Sequence, residues 1–563
     1  MTDKENKLEQ EKALNFIEEE INNDIANKRY PKHIHTRFPP EPNGYLHIGH
    51  ATAICFNFGI AKKFGGKTNL RFDDTNPTTE KTLYVDSIKE DIKWLGFQWE
   101  GEALYASDYF DILYKYALKL IDAGLAYVDD SSAEEMSELK GTPTEPGKES
   151  PYRTRSVEEN MELFVGMKEG KYDDGERVLR AKIDMSSPNM HMRDPVIYRI
   201  KKENHHRTGD KWCIYPMYDF AHGQSDSIEE ITHSLCSLEF KHHRPLYNWF
   251  IEKLEIFPSR QIEFARRNIS FMITSKRKLK KLVDEGVVTG WDDPRMSTIS
   301  GLRRRGYPAE AIRNFCDEVG MAKRDNVIEI ELLESFVRDV LNQTANRVMV
   351  VEDPVKMVIT NYPDGQKETL YADNNPEDES AGKREIPFGK CVYIDRSDFM
   401  EDPPKKYFRL APGKVVRLKN AYIVEYEGHD KDSNGNVTEI RVKYFDNTKS
   451  GEDNSGIKAK GVLHWVPFDE AVKVKLNNYD KLYTDPTPSS HEGKDILDFI
   501  NPVSLVINER AMAEPFIKNA KEMDSYQLFR KGYYVVDRES TEDMITLNKT
   551  VELKSSWGKD KKK

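Results

Sequence analysis

The chain has 563 residues, with 85 lysines and arginines against 96 aspartates and glutamates, for a formal charge of −11. That length exceeds one hydrophobic core and implies roughly three to five domains, while 38 % apolar and 10 % aromatic residues exclude a disordered or fibrous chain. No apolar run approaches membrane-spanning length. Cys55, Cys213, Cys236, Cys316 and Cys391 are scattered without a CxxC pair, which excludes a ribbon-type zinc site and a disulfide framework and suits a reducing cytoplasm. A negative total leaves nucleic acid open as a partner, because binding depends on where cations cluster.

Residues 1–29 are rich in Lys, Glu and Asn and read as a charged helical extension, not a signal peptide. From there to Trp99 the pattern is strand, helix, strand, helix. His33 to Phe38 is a strand; Pro39-Pro40-Glu41-Pro42-Asn43-Gly44 is a turn; Ala51 to Phe64 is an apolar helix. Strand, glycine-bearing turn and helix start make the geometry that holds a nucleotide phosphate, since the helix N-terminus offers unpaired N–H groups and partial positive charge. His47 and His50 lie three apart and share one helix face. Gly49 between them lets a ligand approach the backbone. Thr68 to Asp73 is a second strand, running into Asp73-Asp74-Thr75-Asn76-Pro77 and a helix from Lys81 to Leu95. In such a βαβ unit ligands bind beyond the carboxyl ends of the strands, where both the histidine turn and Asp73 fall.

From Asp108 to Lys211 this alternation is lost, and the stretch reads as an insertion. A strand and turn resume at Cys213 to Phe220, and helices fill roughly 275 to 345. Between Phe264 and Val283 the charges are all basic: Arg266, Arg267, Lys276, Arg277, Lys278, Lys280 and Lys281. Arg303 to Arg305 form a second cluster, and Lys559 to Lys563 a polar tail. Beyond Arg347, short β-rich runs alternate with Pro, Gly, Asn and Asp turns, which suggests β-barrels.

Pro39 through His50 resembles the HIGH signature of class I aminoacyl-tRNA synthetases, matching its last four letters, and Pro-Glu-Pro-Asn-Gly is similar to the glutaminyl branch. Ile273-Thr274-Ser275-Lys276-Arg277 resembles the KMSKS loop of that class, with Thr274 where Met is usual. Trp291 through Gly306 and Thr232 through Phe240 match further segments in order. The resemblance to bacterial-type glutaminyl-tRNA synthetases runs from about residue 30 to 555. It implies a Rossmann-type α/β catalytic core (30–107 and 212–266) with an α+β acceptor-stem-binding insertion (108–211). A helical domain (267–346), two C-terminal antiparallel β-barrels that bind the anticodon (347–555) and a basic tail (556–563) follow. It also implies a cytoplasmic monomer.

The resemblance assigns catalysis to His47, His50 and Lys276, with no protein nucleophile. It places ATP, travelling with Mg²⁺, against Glu41, Pro42, Asn43, His47, Ile48, Gly49, His50, Ala51, Thr52, Ala53, Ser237, Arg266, Arg267, Thr274, Ser275 and Lys276. No protein-bound structural metal is expected. Glutamine would lie against Arg37, Asp73, Tyr218, Cys236 and Gln261, with Asp73 on its ammonium and Arg37 and Glu41 at the rim. The tRNA would meet Pro143, His242, Arg347, Arg409, Lys419, Gln527 and Arg530. Pro143, His242 and Lys406 depart from the family's usual leucine, aspartate and glutamine.

The choice of amino acid has a physical argument. The glutamyl relatives carry an arginine where this chain has Cys236, and arginine clamps a carboxylate bidentately. Cys236 is small and neutral, and a carboxamide asks for both a donor and an acceptor. The expected reaction is ATP-dependent ligation of glutamine to tRNA through an adenylate. The alternatives are a glutamyl-tRNA synthetase, a non-catalytic RNA-binding paralogue, or a nucleotidylyltransferase with a similar HxGH turn.

Overall fold

In the computed structural model, residues 14–30, 33–78 and 82–554 are described. The chain divides into two compact units, one of residues 1–268 with 316–327, the other of residues 269–315 with 328–563. Residues 316–327 therefore go with the first unit, whereas the expected helical domain of residues 267–346 included them. Residues 1–13 of the expected extension and the tail 556–563 lie outside the described residues.

In the first unit, helix α1 (Phe16–Ala26) is capped by Asn15, whose side chain accepts the N–H of Ile17 and Glu18. It is more than an appended charged helix. Ile17 and Ile21 are fully buried against Ile34, Phe56, Ile60, Leu235, Ile262 and Phe264. Strand β1 (His35–Phe38), helix α2 (Ile48–Lys63), strand β2 (Lys67–Phe72), helix α3 (Thr82–Trp94) and strand β3 (Leu104–Tyr105) follow. β1 pairs parallel with β2, and β2 parallel with β3. All four side chains of β1 are buried, so it has no solvent face, as expected for a parallel strand with both sides covered.

The insertion begins with α4 (Phe110–Asp122) and β4 (Ala126–Asp129), continues through α5 (Ala133–Lys140) and α6 (Val157–Lys168), and ends in β5 (Val178–Ala181), β6 (Val196–Ile200) and β7 (Ile214–Pro216). β4 to β7 form an antiparallel sheet in chain order. Then α7 (Tyr218–Ile228), β8 (His233–Ser237), α8 (Arg244–Leu254) and β9 (Arg260–Phe264) return to the core. β8 and β9 are parallel, and the Thr232 N–H donates to His35 O at 3.0 Å, which sets β8 beside β1.

In the second unit, α9 (Lys276–Asp284) and α10 (Ile299–Arg304) precede a helix at Ile330–Thr344 and two seven-stranded barrel-like sheets. Most neighbouring strands there are antiparallel, but Pro354–Ile359 runs parallel to Val437–Tyr444, and Val472–Tyr479 parallel to Ile545–Val551. The first sheet closes over a core that includes fully buried Trp465, Met357 and Val392. Among the described residues no helix is long and apolar enough to cross a membrane.

Candidate functional site

The histidine turn is built as a helix cap. His47 is the N-cap of α2, and its Nδ1 accepts the Gly49 N–H at 3.1 Å. The Nδ1 of His50 accepts the His47 N–H at 3.2 Å. Two of the orphan N–H groups of the helix start are thereby satisfied. A nitrogen that accepts cannot carry the proton, so each neutral ring holds its hydrogen on Nε2. The rings lie 3.8 Å apart between centroids, giving a pair of Nε2–H donors at the positive end of a helix, a setting that suits an anion. The Asp73 N–H donates to Pro40 O at 3.0 Å, so the end of β2 is tied to this turn and Asp73 stands beside it. Glu41 is exposed and accepts the Asn43 Nδ2–H at 2.5 Å.

Arg37 is not at a rim. It is 0 % exposed, and every guanidinium nitrogen is bonded inside the protein. Nε donates to Asp226 Oδ1 at 3.0 Å, one terminal nitrogen to Leu235 O at 2.8 Å, the other to Ser234 Oγ at 2.7 Å and to Cys236 Sγ at 3.3 Å. That nitrogen also lies 3.1 Å from His222 Nε2. The reason is the strand: with both faces of β1 covered, a buried cation must find an anion. Asp226 Oδ1 also receives Arg71 at 2.8 Å, and Arg71 reaches Glu229 at 3.0 Å. Two cations are balanced by two carboxylates. Sequence reading missed Asp226, Arg71 and Glu229, whose signal was only an RF step in β2 and an acid-bearing helix.

Cys236, on β8, is buried, and burial pushes its thiol up against the pull of Arg37; it is a neutral thiol. Tyr218 opens α7 and stacks on His222, with centroids 5.0 Å apart and planes at 17°. Gln261, on β9, is buried and donates to Phe240 O and Glu263 Oε1 at 3.1 and 3.0 Å. Burial lowers His222 to about 3 against the pull of Asp226, with Arg37 and Arg71 adding to the effect, and burial lowers His233 to about 4 despite Asp24. In the unfolded chain a histidine binds its proton near pH 6.5. Below that the unfolded state takes up protons that the folded state refuses, so stability falls with pH from about 6.5 towards about 3. A His222→Gln variant, which keeps an acceptor for Arg37, should flatten this dependence; denaturant midpoints at pH 7, 6 and 5 would measure it, and an unchanged slope would contradict the assignment.

Of the other expected nucleotide contacts, Ser237 Oγ donates to Glu239, and Arg266 pairs with Glu239 at 2.5 Å. Arg267 donates to Val319 O and Gly320 O, so its guanidinium serves the C-terminal end of the helix Ala309–Val319. Pro143 is exposed in the turn Thr142–Glu145, and a single buried guanidinium, Arg193, donates to the carbonyls of Lys140, Thr142 and Glu145 at 2.8–2.9 Å. Nothing in the sequence marked Arg193 as the holder of that loop. His242 is exposed, and its carbonyl accepts from Asn189.

In the second unit, the loop with Thr274 and Ser275 is anchored by buried Ile273, whose carbonyl accepts from Ser297 Oγ. Ser275 is the N-cap of α9, without a side-chain cap bond, and the first turn carries Lys276, Arg277 and Lys278 with no acidic residue. Cations at a helix N-terminus oppose the helix dipole, a conflict that an anion would relieve. Leu279 and Leu282 seat α9 on Val288, Met296 and Ile496. Further along, Arg347, Lys419 and Gln527 line one cavity of ≈ 250 Å³. Arg347 Nε donates to Gln527 Oε1 at 2.8 Å. Arg409 and Arg530 lie outside this group and converge on fully buried Asp398. Lys406 is exposed.

The chain matches the family described as tRNA synthetases class I (E and Q), catalytic domain, over residues 33–343, and the anticodon-binding domains of the same family over residues 345–445 and 462–537. It is 57 % identical to the Glutamine--tRNA ligase of Clostridium perfringens, covering 97 % of this chain and 99 % of that one. It is 56 % identical to that of Rhodopirellula baltica, covering 97 % and 91 %. It is 53 % identical to that of Pseudomonas syringae pv. tomato, covering 96 % and 95 %.

Proposed function

This chain belongs to the class I tRNA synthetases of the E and Q group, and from that premise we infer how its residues act. It attaches glutamine to tRNA in an ATP-dependent reaction. The observation that carries the residue-level reading is the electroneutral wall beside Cys236: Arg37 and Arg71 are already matched by Asp226 and Glu229. Among the described residues the cations beside Cys236 are already paired, so a glutamate side chain would be desolvated without compensation. A carboxamide needs no such partner. Tyr218 and the remaining carbonyl oxygen of Gln261 supply its donor and acceptor, and Asp73 takes the α-ammonium.

ATP enters as its Mg²⁺ complex, phosphates over the start of α2. The glutamine α-carboxylate attacks the α-phosphorus in line, and pyrophosphate leaves. The Nε2–H groups of His47 and His50 donate to the phosphate oxygens as charge builds, and Lys276 neutralises the leaving pyrophosphate. A terminal ribose hydroxyl of the tRNA then attacks the activated carbonyl, the carbonyl–phosphate bond breaks, and AMP leaves as the hydroxyl gives up its proton. Pro143 and His242 face the acceptor end. The cavity of Arg347, Lys419 and Gln527 offers donors and an acceptor to the edge of a splayed base, and Arg409 and Arg530 offer guanidinium planes.

Parallel aminoacylation assays with glutamine and glutamate test the reading; a preference for glutamate would overturn it. A Cys236→Arg variant should lose glutamine kcat/KM by about 10²-fold or more. It should gain little with glutamate, because the new guanidinium would sit against Arg37, whose terminal nitrogen is 3.3 Å from the present sulfur. Full glutamine activity in this variant would show that position 236 does not face the side chain.

A further inference from the structure

Three groups of histidine and carboxylate donors converge among the described residues: Asp74–His205–His206, His191–Asp219–His243 and Asp395–Asp398–His464. In the first, His205 has both ring nitrogens engaged. Nε2 bonds the Asp74 carbonyl at 2.8 Å, and Nδ1 accepts the N–H of Arg207 and of Thr208. In the third, resident cations already fill the space: Arg409 and Arg530 hold Asp398, Lys531 holds Asp395, and His464 Nδ1 accepts from Arg530.

The middle group differs. His243 Nδ1 lies 2.6 Å from Asp219 Oδ1, and both side chains are about a quarter exposed, at 26 % and 28 %. The His191 ring lies 3.8 Å from that of His243, centroid to centroid. Among the described residues no hydrogen bond reaches either ring nitrogen of His191. One donor atom from each of the three residues falls within 4.8 Å of the others. The Lys140 side chain is the nearby cation that opposes an ion, and Asp219 offsets it.

We propose that His191, Asp219 and His243 form a binding site for one divalent metal ion of the zinc class. Two imidazoles and a carboxylate are a usual donor set for such an ion, with Zn–N about 2.0–2.1 Å and a fourth position for water. Small side-chain rotations bring the three donors onto one centre. The Nδ1 proton of His243 moves to Nε2, and the ion takes its place against Asp219. The three residues come from the short turn Met190–Met192 before β6, the first turn of α7 and the N-cap of α8. The ion would thus staple the end of the insertion to the helix that opens with Tyr218. None of the three side chains is among those assigned to ATP or glutamine, and Asp219 directly follows Tyr218 in α7.

The full-length protein, treated with chelator and dialysed, is titrated with Co²⁺. The expected result is the visible ligand-field absorption of a four-coordinate ion, saturating at one equivalent and bleached by Zn²⁺, with a Zn²⁺-dependent rise in Tm of a few degrees. His191→Ala and His243→Ala, checked for native circular dichroism, should each weaken Co²⁺ by more than the about tenfold typical of losing an outer partner. The proposal is overturned if the wild type shows no such bands, if they persist unchanged in the doubly substituted protein, or if sulfur-to-cobalt charge-transfer bands place the ion on a cysteine.

Discussion

An Asp226→Asn substitution should destabilise the first unit by about 3–5 kcal/mol, the scale of breaking a buried ion pair by removing one partner. The carboxylate receives Arg37 Nε and Arg71 on Oδ1, and Ser234 Oγ and Tyr247 OH on Oδ2, all within 2.6–3.0 Å. An asparagine NH₂ would face donors on one side, and the buried Arg37 would lose its carboxylate while Arg71 kept Glu229. Burial pushes the Asp226 carboxyl up, but Arg37, His222 and Arg71 together hold it well below the usual carboxylate range. Because the folded value is depressed, its contribution is complete above about pH 4 and is lost only as pH falls below the unfolded value. Urea unfolding at pH 7, followed through the transition of this unit, measures the effect. A loss under about 1 kcal/mol, the size of a surface pair, would contradict the picture of a charge-balanced wall. The same variant should also lose glutamine selectivity, since an unmatched Arg37 beside Cys236 would attract a carboxylate.

Lys276→Ala and His50→Asn should each lower kcat by about 10²–10³-fold, the usual loss when one preorganised donor to transition-state charge is removed. The asparagine variant separates catalysis from helix capping. Its side-chain oxygen can accept the His47 N–H that His50 Nδ1 accepts now, so α2 keeps its cap while the Nε2–H is lost. Pyrophosphate exchange with ATP and glutamine, run with tRNA present, gives the rate, and filter binding gives tRNA affinity. We expect affinity to hold while turnover falls. If both variants turn over normally, neither side chain stabilises the reacting phosphates. For Lys276→Ala a second signature is available: removing a cation from the first turn of α9 removes a clash with the helix dipole, so thermal stability should hold or rise slightly as activity falls.

The elements around the histidine turn were legible because their signals are local. A Pro- and Gly-bearing turn between a short strand and an apolar helix, with two histidines three apart, specifies a strand, a turn and a capped helix within a short stretch. The Ser-Lys-Arg start of α9 and the carboxyl end of β2 are local in the same sense. Other residues were misjudged because their roles depend on partners far along the chain. The N-terminal helix looked like a solvated extension, since Glu18, Glu19, Glu20 and Asp24 outnumber its buried isoleucines. In the fold Ile17 and Ile21 join the core, and Asp24 bonds Arg260 and His233. Arg267 looked like part of a phosphate-binding run, yet it lies beside the carbonyls of Val319 and Gly320. Arg193 gave no signal at all, because a guanidinium that holds three carbonyls has no motif.

By itself the sequence determined the strand–turn–helix that caps α2 with two imidazoles, the lysine at the head of α9, and a small uncharged side chain at position 236. Each of these follows from residue type and near-neighbour spacing. Only the tertiary structure decided that Arg37 is a neutralised wall and not a free cation. Its counter-charge lies 189 residues away, and whether a buried charge is paired depends on what the fold packs against it.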